Sequence, residues 1–403
     1  MSTMSIDAVR RALAERGISH VGPEDLVEFG GHAQQDGGGE GGAGGVEFLR
    51  TLHREFSGLG ILTELFMDPD VTDVLVNPDG SIWIDRGEGL EIAEMPSVPP
   101  GQARELAVRL AARCGARLDN AMPFADGVLT DLPEGIPARR VRVHAALAPP
   151  MDGGASISLR ALHRGHSHVA DLVRDGMMSP ALGMVLRQLV RQRMNILISG
   201  GTGAGKTTLL TALLGEVPDN QRMILVEDTP EIIAEHPHCL AMTARRANAE
   251  GAGDIPMGRL VTQCLRMRPD RIIVGEIRGA EIADLLVALN TGHPGSAGTL
   301  HANDPQAVPG RLEALGAMAD MPPRSLVRQS LDGIDVLLHV ERTPQGRKLT
   351  DISTLHASHS GDGAPVLTVE PVWSIHQSSV DAGDVVGRIQ RQRAQRDSER
   401  SAS

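Results

Sequence analysis

Between residues 195 and 340, short apolar runs recur with longer amphipathic stretches between them. The runs are Ile196-Leu197-Ile198, Met223-Ile224-Leu225-Val226, Ile272-Ile273-Val274 and Val336-Leu337-Leu338-His339-Val340. Runs of this length, separated by helical-period segments, predict a largely parallel sheet with helices on both faces. Residues 179–193 predict a helix leading into the first run, and hairpin-like segments follow around 349–354 and 366–374. This region, 179–375, reads as one α/β domain.

The preceding stretch, 46–160, follows another pattern. Leu59, Ile61, Leu62, Leu65 and Phe66 suggest a helix. Val74-Leu75-Val76 and Ile82-Trp83-Ile84 flank Asn77-Pro78-Asp79-Gly80, a turn-rich tetrapeptide between two strands. Helical spacing returns over 101–113, and Arg140–Leu147 and Ser156–Leu159 read as further strands. Together they predict a separate, smaller α+β domain. Residues 161–178 read as a connector, whose His163, His166 and His168 lack the spaced carboxylate or thiolate of a zinc site. Upstream, Ile6, Val9 and Leu13 give a short amphipathic helix over 5–16, and residues 37–45 are a glycine-rich linker; 1–45 form this leading segment. The tail, 376–403, is polar, with Arg388, Arg391, Arg393, Arg396 and Arg400 crowding its end. It reads as a solvated helix or disordered, with a partner contact as the alternative.

Composition narrows the function classes. The chain has 403 residues and 41% hydrophobic content, enough for more than one core, but only 2% aromatic residues and no Tyr. A net charge of −12 argues against a protein governed by non-specific nucleic-acid affinity, so no direct nucleic-acid contact is expected. Three scattered cysteines, Cys114, Cys239 and Cys264, suit a reduced cytoplasmic protein without a thiolate metal site. No apolar run approaches a membrane span, so any association with the membrane would be peripheral, through partners.

The chemistry concentrates at Gly200-Gly201-Thr202-Gly203-Ala204-Gly205-Lys206-Thr207-Thr208, which fills every fixed position of G-x-x-x-x-G-K-[ST]. A strand precedes it and a helix follows, the context that makes this pattern a phosphate loop. Glycines let backbone N–H groups curl around phosphate oxygens, and the helix N-terminus adds partial positive charge. Lys206 is placed for the β/γ-phosphates and Thr207 for Mg²⁺, making ATP and Mg²⁺ the expected ligands. Past the Met223–Val226 strand come Glu227 and Asp228, placed for Mg²⁺ or its waters; a helix cap at Asp228 or Thr229 is the structural alternative. After Ile272-Ile273-Val274 comes Gly275-Glu276-Ile277-Arg278, where Glu276 is the only acid and the leading candidate to activate water. The histidines of Thr291-Gly292-His293 and Leu300-His301-Ala302-Asn303 fall in what reads as one tight loop of small residues, suited to sensing a terminal phosphate.

These segments resemble the secretion-system ATPases of the type II/type IV superfamily over roughly residues 60–375. The run Leu265 to Glu281, containing Arg268-Pro269-Asp270 and Gly275-Glu276, looks like the family's atypical Walker B segment. Glu227-Asp228 sits where the family has its Asp box, and Gly292-His293 through His301-Ala302-Asn303 matches its His box. The chain is most similar to the Tad/Flp pilus-assembly (CpaF-like) branch and lacks the tetracysteine zinc insert of many assembly ATPases. The resemblance implies a RecA-like P-loop NTPase domain with a smaller α+β N-terminal domain. It also implies a homohexamer, an inner-membrane platform protein as partner, and arginines that complete a neighbour's site. Arg142 and Arg160 match the family's arginine-bearing strands, and Arg245 matches a further arginine. Two departures stand out: Gly298 replaces a residue that is usually larger, and Arg139-Arg140 lengthens the approach to Arg142.

The leading expectation is a cytoplasmic ATP-hydrolysing motor for pilus assembly or secretion. In it Lys206, Thr207, Glu227, Glu276, His301 and a neighbour's Arg142 and Arg160 carry the chemistry, and Gly201 through Thr208, Arg245 and His293 hold the nucleotide. A conjugation-related DNA-translocating ATPase is the alternative, and a nucleotide-gated scaffold without turnover a third.

Overall fold

A computed structural model describes residues 59–402 except 88, 150, 164–165, 246, 248–251, 360, 362 and 377–379. The helix expected over 5–16 and the linker at 37–45 lie outside the described residues. The chain divides into two compact units between residues 164 and 165.

The described part of the first unit begins with a 3₁₀ helix, Gly60–Met67. Strands β1 (Asp73–Val76), β2 (Ile82–Asp85) and β3 (Leu90–Ile92), helix α1 (Pro100–Arg113), then β4 (Phe124–Leu129), β5 (Arg140–Leu147) and β6 (Ala155–Leu162) follow. The strands form one antiparallel sheet in the order β3-β2-β1-β6-β5-β4. Period-two alternation decides which way its faces look. Val141, Val143 and Ala145 of β5 enter the core with Leu106 and Leu110 of α1, and Arg140, Arg142 and His144 point the other way. The expected turn before β2 needs its glycine: Gly80 has φ +85°, and a Cβ there would stand 2.1 Å from Val98 O.

The second unit begins with α2 (Val169–Arg174), α3 (Pro180–Arg191), β7 (Ile196–Gly200), α4 (Lys206–Leu214), β8 (Met223–Glu227) and β9 (Cys239–Thr243). It continues through α5 (Met257–Cys264), β10 (Arg271–Ile277), α6 (Glu281–Asn290), β11 (Ala297–His301), α7 (Val308–Met318) and α8 (Pro323–Gly333). It ends with β12 (Val336–Thr343), β13 (Gly346–His359), β14 (Pro365–Ser374) and α9 (Ala382–Ala402). Its sheet runs β14-β13-β12-β7-β11-β10-β8-β9; β12 through β9 are parallel, and β13 and β14 are antiparallel additions. Ile196 and Ile198 of β7 feed the core on one face and Leu197 the core on the other, which is why the parallel strands read as unbroken apolar runs.

Three segments depart from the sequence reading. The stretch at 161–178, expected as a connector, holds the end of β6 and all of α2, whose Val169 and Leu172 are buried in the second unit's core. Its histidines have separate neighbours: His163 Nε2 is 3.3 Å from Val71 O, His166 Nε2 2.9 Å from Asp175 Oδ2 and His168 Nδ1 4.0 Å from Glu216 Oε1. Within the polar tail, Ala382–Ala402 is a helix, α9, packed through its first turns against its own unit. α9 buries Val385, Val386 and Ile389 in the same core, each worth up to about 1.5–3 kcal/mol. Arg388 donates to Val372 O at 2.9 Å, and Arg396 to Ile334 O and Asp335 Oδ1, both at 2.8 Å. The arginines were visible in the sequence; that Arg388, Arg391, Arg393 and Arg396 end on carbonyls or carboxylates of their own unit was not.

The third departure bears on function. The segment read as a tight histidine loop contains β11, a strand between β7 and β10 at the middle of the sheet. At Gly298 the surroundings are tight: a Cβ there would meet Ile277 Cδ1 at 3.1 Å. From β7 the chain crosses toward β8, and from β11 it crosses to β12 on the far side of β7, with α4 in one core and α7 in the other. The carboxyl ends of β7 and β11 therefore flank a topological switch point, where α/β sheets open a ligand crevice.

Candidate functional site

The phosphate loop leaves β7 at that crevice. Gly203 and Gly205 take φ +71° and +102°, so the loop curls in a way that residues with side chains resist, and Gly205 caps α4. Lys206 opens the helix and turns back across the loop, its Nζ donating to Gly200 O at 3.0 Å and Gly201 O at 2.9 Å. Burial lowers its pKa, and the nearby Glu276 charge opposes that shift. Ala204 is buried, while Thr202 and Gly203 are exposed at the lip.

Beside the loop, Thr207, Glu227, Asp228, Gly275, Glu276 and Arg278 line one cleft. Glu227 ends β8 and is 4% exposed; its Oε1 accepts the N–H groups of Glu231 at 3.0 Å and Ile232 at 2.9 Å. The missing side chain of Gly275 is what admits it. A Cβ on Gly275 would stand 2.8 Å from Glu227 Cγ and 3.3 Å from Oε1, so the glycine makes room for an acid from the neighbouring strand. Thr299 Oγ1 donates to Gly275 O at 2.6 Å, and the β10–β11 register shifts between Val274 and Ile277. Such a shift re-aims a side chain, here Glu276, within its own strand. Glu276 pairs with Arg278 Nη2 at 2.5 Å, and Arg278 Nη1 lies 3.9 Å from Asp228 Oδ2.

The two histidines of the expected loop part company. His301 ends β11 directly opposite Gly200, at the base of the phosphate loop. His293 precedes β11, its Nδ1 3.3 Å from Ala288 O, in a cleft shared with Asn195 and Asp335. Because β11 spans roughly 13 Å at about 3.3 Å per residue, the structure does not bring His293 to the phosphate loop. Arg245 lies two residues beyond Thr243, the partner of Glu227 on the edge strand, and its Nε donates to Gly253 O at 2.7 Å. Arg142 and Arg160 belong to the first unit, directly opposite each other on β5 and β6, with Arg160 Nε 2.7 Å from Asp73 Oδ1.

Two residues that sequence reasoning did not single out also approach the loop. Asn303 Oδ1 lies 3.6 Å from where a Cβ on Gly201 would be. Arg347, from β13, donates through Nε to Gly203 O at 3.1 Å. Asn303 belongs to the Leu300-His301-Ala302-Asn303 segment; Arg347 has no local signal, since its proximity comes from the β12–β13 hairpin.

The sequence matches the type II/IV secretion system protein family over residues 56–357, three quarters of the chain. The chain belongs to that family. A Mycobacterium tuberculosis (strain ATCC 25618 / H37Rv) protein with a provisional conjugal-transfer name is 46% identical over 308 residues, 76% of this chain and 87% of that one. The conjugal transfer protein TrbB of Rhizobium radiobacter is 33% identical over 291 residues, 71% of this chain and 84% of that one. In structure, the chain is similar to the pilus retraction motor PilT crystallised with ADP, with a TM-score of 0.51 and 17% identity over 84% of this chain and 88% of that one. The second unit is thus the RecA-like P-loop NTPase domain of this secretion-protein family, and the first its smaller α+β domain. No helix among the described residues is long and apolar enough to cross a membrane.

Proposed function

We propose that this family member is an ATP-hydrolysing motor that works as a homohexamer and powers pilus assembly or protein secretion. The observation that carries the reading is the convergence of Thr207, Glu227 and Glu276 on one cleft, beside a strand–loop–helix phosphate site across which Lys206 turns back. In this reading Lys206 leaves the loop carbonyls to neutralise charge on the γ-phosphoryl group. Glu276 orients or deprotonates the attacking water.

Hard oxygen donors fit Mg²⁺, and the described residues contain no cluster of three or more carboxylate, histidine or cysteine side chains able to cage a metal alone. That donor set suits an ion held largely by nucleotide phosphates, with the Thr207 hydroxyl and Glu227 or Asp228 around it. The ion would supply charge neutralisation. Arg142 and Arg160, paired on one sheet face, are proposed to complete a neighbouring subunit's site, and Arg245 and His301 to border the nucleotide. The motor would sit peripherally at the inner face of the membrane through a platform protein, and Tad/Flp-type pilus assembly is the role the motif resemblance favours.

A conjugation-linked, DNA-translocating ATPase is a second reading, favoured by the conjugal-transfer names of relatives at 46% and 33% identity. Phosphate release by the purified chain tests both. Turnover without nucleic acid supports the secretion reading. Strong stimulation by DNA that falls steeply with salt supports the other.

A further inference from the structure

The hairpin between β12 and β13 closes where Thr343 pairs with Gly346, leaving Pro344 and Gln345 as its loop. Thr343 Oγ1 donates to Gly346 O at 2.9 Å and accepts from Gln345 N at 3.2 Å, so the turn is tied from within. β12 lies beside β7 with Val340 opposite Gly200, so the hairpin rises from the sheet next to the phosphate loop. Behind it β13 is anchored: Lys348 Nζ donates to Gly176 O at 2.5 Å and Leu349 N to Met177 O at 3.0 Å. Arg347, the first residue past the turn, is thereby delivered to the outside of the loop. Its Nε reaches Gly203 O at 3.1 Å, and its Cδ lies 3.1 Å from where a Cβ on Gly205 would stand.

A peptide unit is planar and trans, so its C=O and N–H point in opposite directions. Holding the Gly203 carbonyl outward therefore holds the Ala204 N–H inward. That N–H lies across the loop from Gly201 O at 3.4 Å, a long and weak bond that a phosphate oxygen can replace. The hold falls where it is most useful, because Gly203, at φ +71°, leaves this peptide freer to rotate than any side-chain-bearing residue would.

We propose that Arg347 is a positioning residue for the phosphate loop: it grips the Gly203–Ala204 peptide from outside and presets the Ala204 N–H for a phosphate oxygen of the bound nucleoside triphosphate. The inference rests on the nucleotide-binding reading above and adds a residue 144 positions along the chain from the glycine it holds. Arg347 need not touch the nucleotide. Its effect is on ground-state binding, felt equally in the transition state.

The test measures binding of a non-hydrolysable ATP analogue, with KM and kcat for ATP, on the full chain carrying Arg347→Ala or Arg347→Lys. Arg347→Ala is expected to weaken analogue binding and raise KM about tenfold, the scale of one charge-assisted hydrogen bond, with kcat within about twofold. Its Tm should stay at the wild-type value, because Arg347 is exposed. Arg347→Lys, which keeps a cationic donor, should recover part of the affinity. Equal affinity in wild type and Arg347→Ala overturns the proposal. So does a parallel fall in Tm and affinity that Lys does not repair, since that marks a merely structural contact. Wild-type protein that binds no analogue sinks the nucleotide reading itself, an outcome distinct from either.

Discussion

The carboxyl and amino ends of the second unit's parallel strands carry the same residue types in opposite states. At the carboxyl ends, Glu276, Asp228 and Arg278 are 31%, 43% and 52% exposed and pair mainly with one another. At the amino ends, Arg271 and Asp335 are 2% and 5% exposed and tied into their surroundings. Arg271 donates to Gln221 Oε1 at 2.8 Å, Gly295 O at 3.1 Å and Val190 O at 2.8 Å, and burial pulls its pKa down to about 10. Asp335 accepts from Asn195 N and Arg396 at 2.8 Å each, with Arg393 at 3.5 Å. A charge saturated by buried, fixed partners braces the fold, whereas a charge held by other exposed charges can be exchanged for a ligand. The difference lies in the partners, and composition alone does not reveal it.

The sharpest way to break this comparison is to remove charges singly at either end. Glu276→Gln should lower phosphate release about a thousandfold while leaving Tm within a few degrees of wild type, and Lys206→Ala should lower release as far. Near-wild-type turnover by Glu276→Gln would take that residue out of the water-activating role. Arg271→Met should do the reverse. It leaves two buried carbonyls and the Gln221 side chain without their donor, costing about 3–5 kcal/mol in denaturant titration. Turnover per folded molecule should survive at a temperature where the variant stays native. An Arg271→Met protein as stable as wild type would mean that the amino-end network is not a brace.

How much of this contrast could be read beforehand depends on distance along the chain. Lys206, Thr207, Glu227 and Glu276 were legible because a phosphate loop is a local object, and strands that end in acids identify the crevice by themselves. The α/β architecture was legible because strands buried on both faces read as apolar runs. β11 was not, because Ala297-Gly298-Thr299 is a strand of small residues, so its pattern mimics a loop. Reading it as a loop put His293 and His301 together, and the strand sets them at opposite ends. Arg347 and the α9 arginines act through tertiary contacts alone, and no spacing rule reaches them.

A smaller effect probes the place where two strands share one acid. Gly275→Ala adds a single methyl group 2.8 Å from Glu227 Cγ, in a buried corner with little freedom. Overpacking of this kind costs about 1–3 kcal/mol, and the movement it forces falls on the Glu227 carboxylate. Turnover should therefore fall more than stability does. Glu227→Ala in the same background removes the clash, so the double variant should regain stability without regaining turnover. If Gly275→Ala leaves phosphate release untouched, the fit between Gly275 and Glu227 is a packing detail and nothing more.

The smallest expected effect concerns His339, a titratable group one strand away from the phosphate loop. It is 1% exposed, its Nδ1 lies 2.8 Å from Ser199 Oγ and its Nε2 3.5 Å from Glu341 Oε1. Burial lowers its pKa below the ordinary 6.5, against the opposing pull of Glu341, Asp351 and Asp304. The folded chain therefore refuses a proton that the unfolded chain accepts. Stability from this site is complete above the unfolded pKa and is lost progressively as pH falls from about 6.5 toward the lower folded value. His339→Gln, which keeps a polar group opposite Ser199 but cannot titrate, should lose less Tm than wild type between pH 7.5 and 5.5. The sign is the diagnostic: a wild-type protein that gains stability relative to His339→Gln on acidification would mean that His339 is charged in the fold. In that case its carboxylate neighbours would outweigh burial, and it would join the exchangeable charges of the crevice.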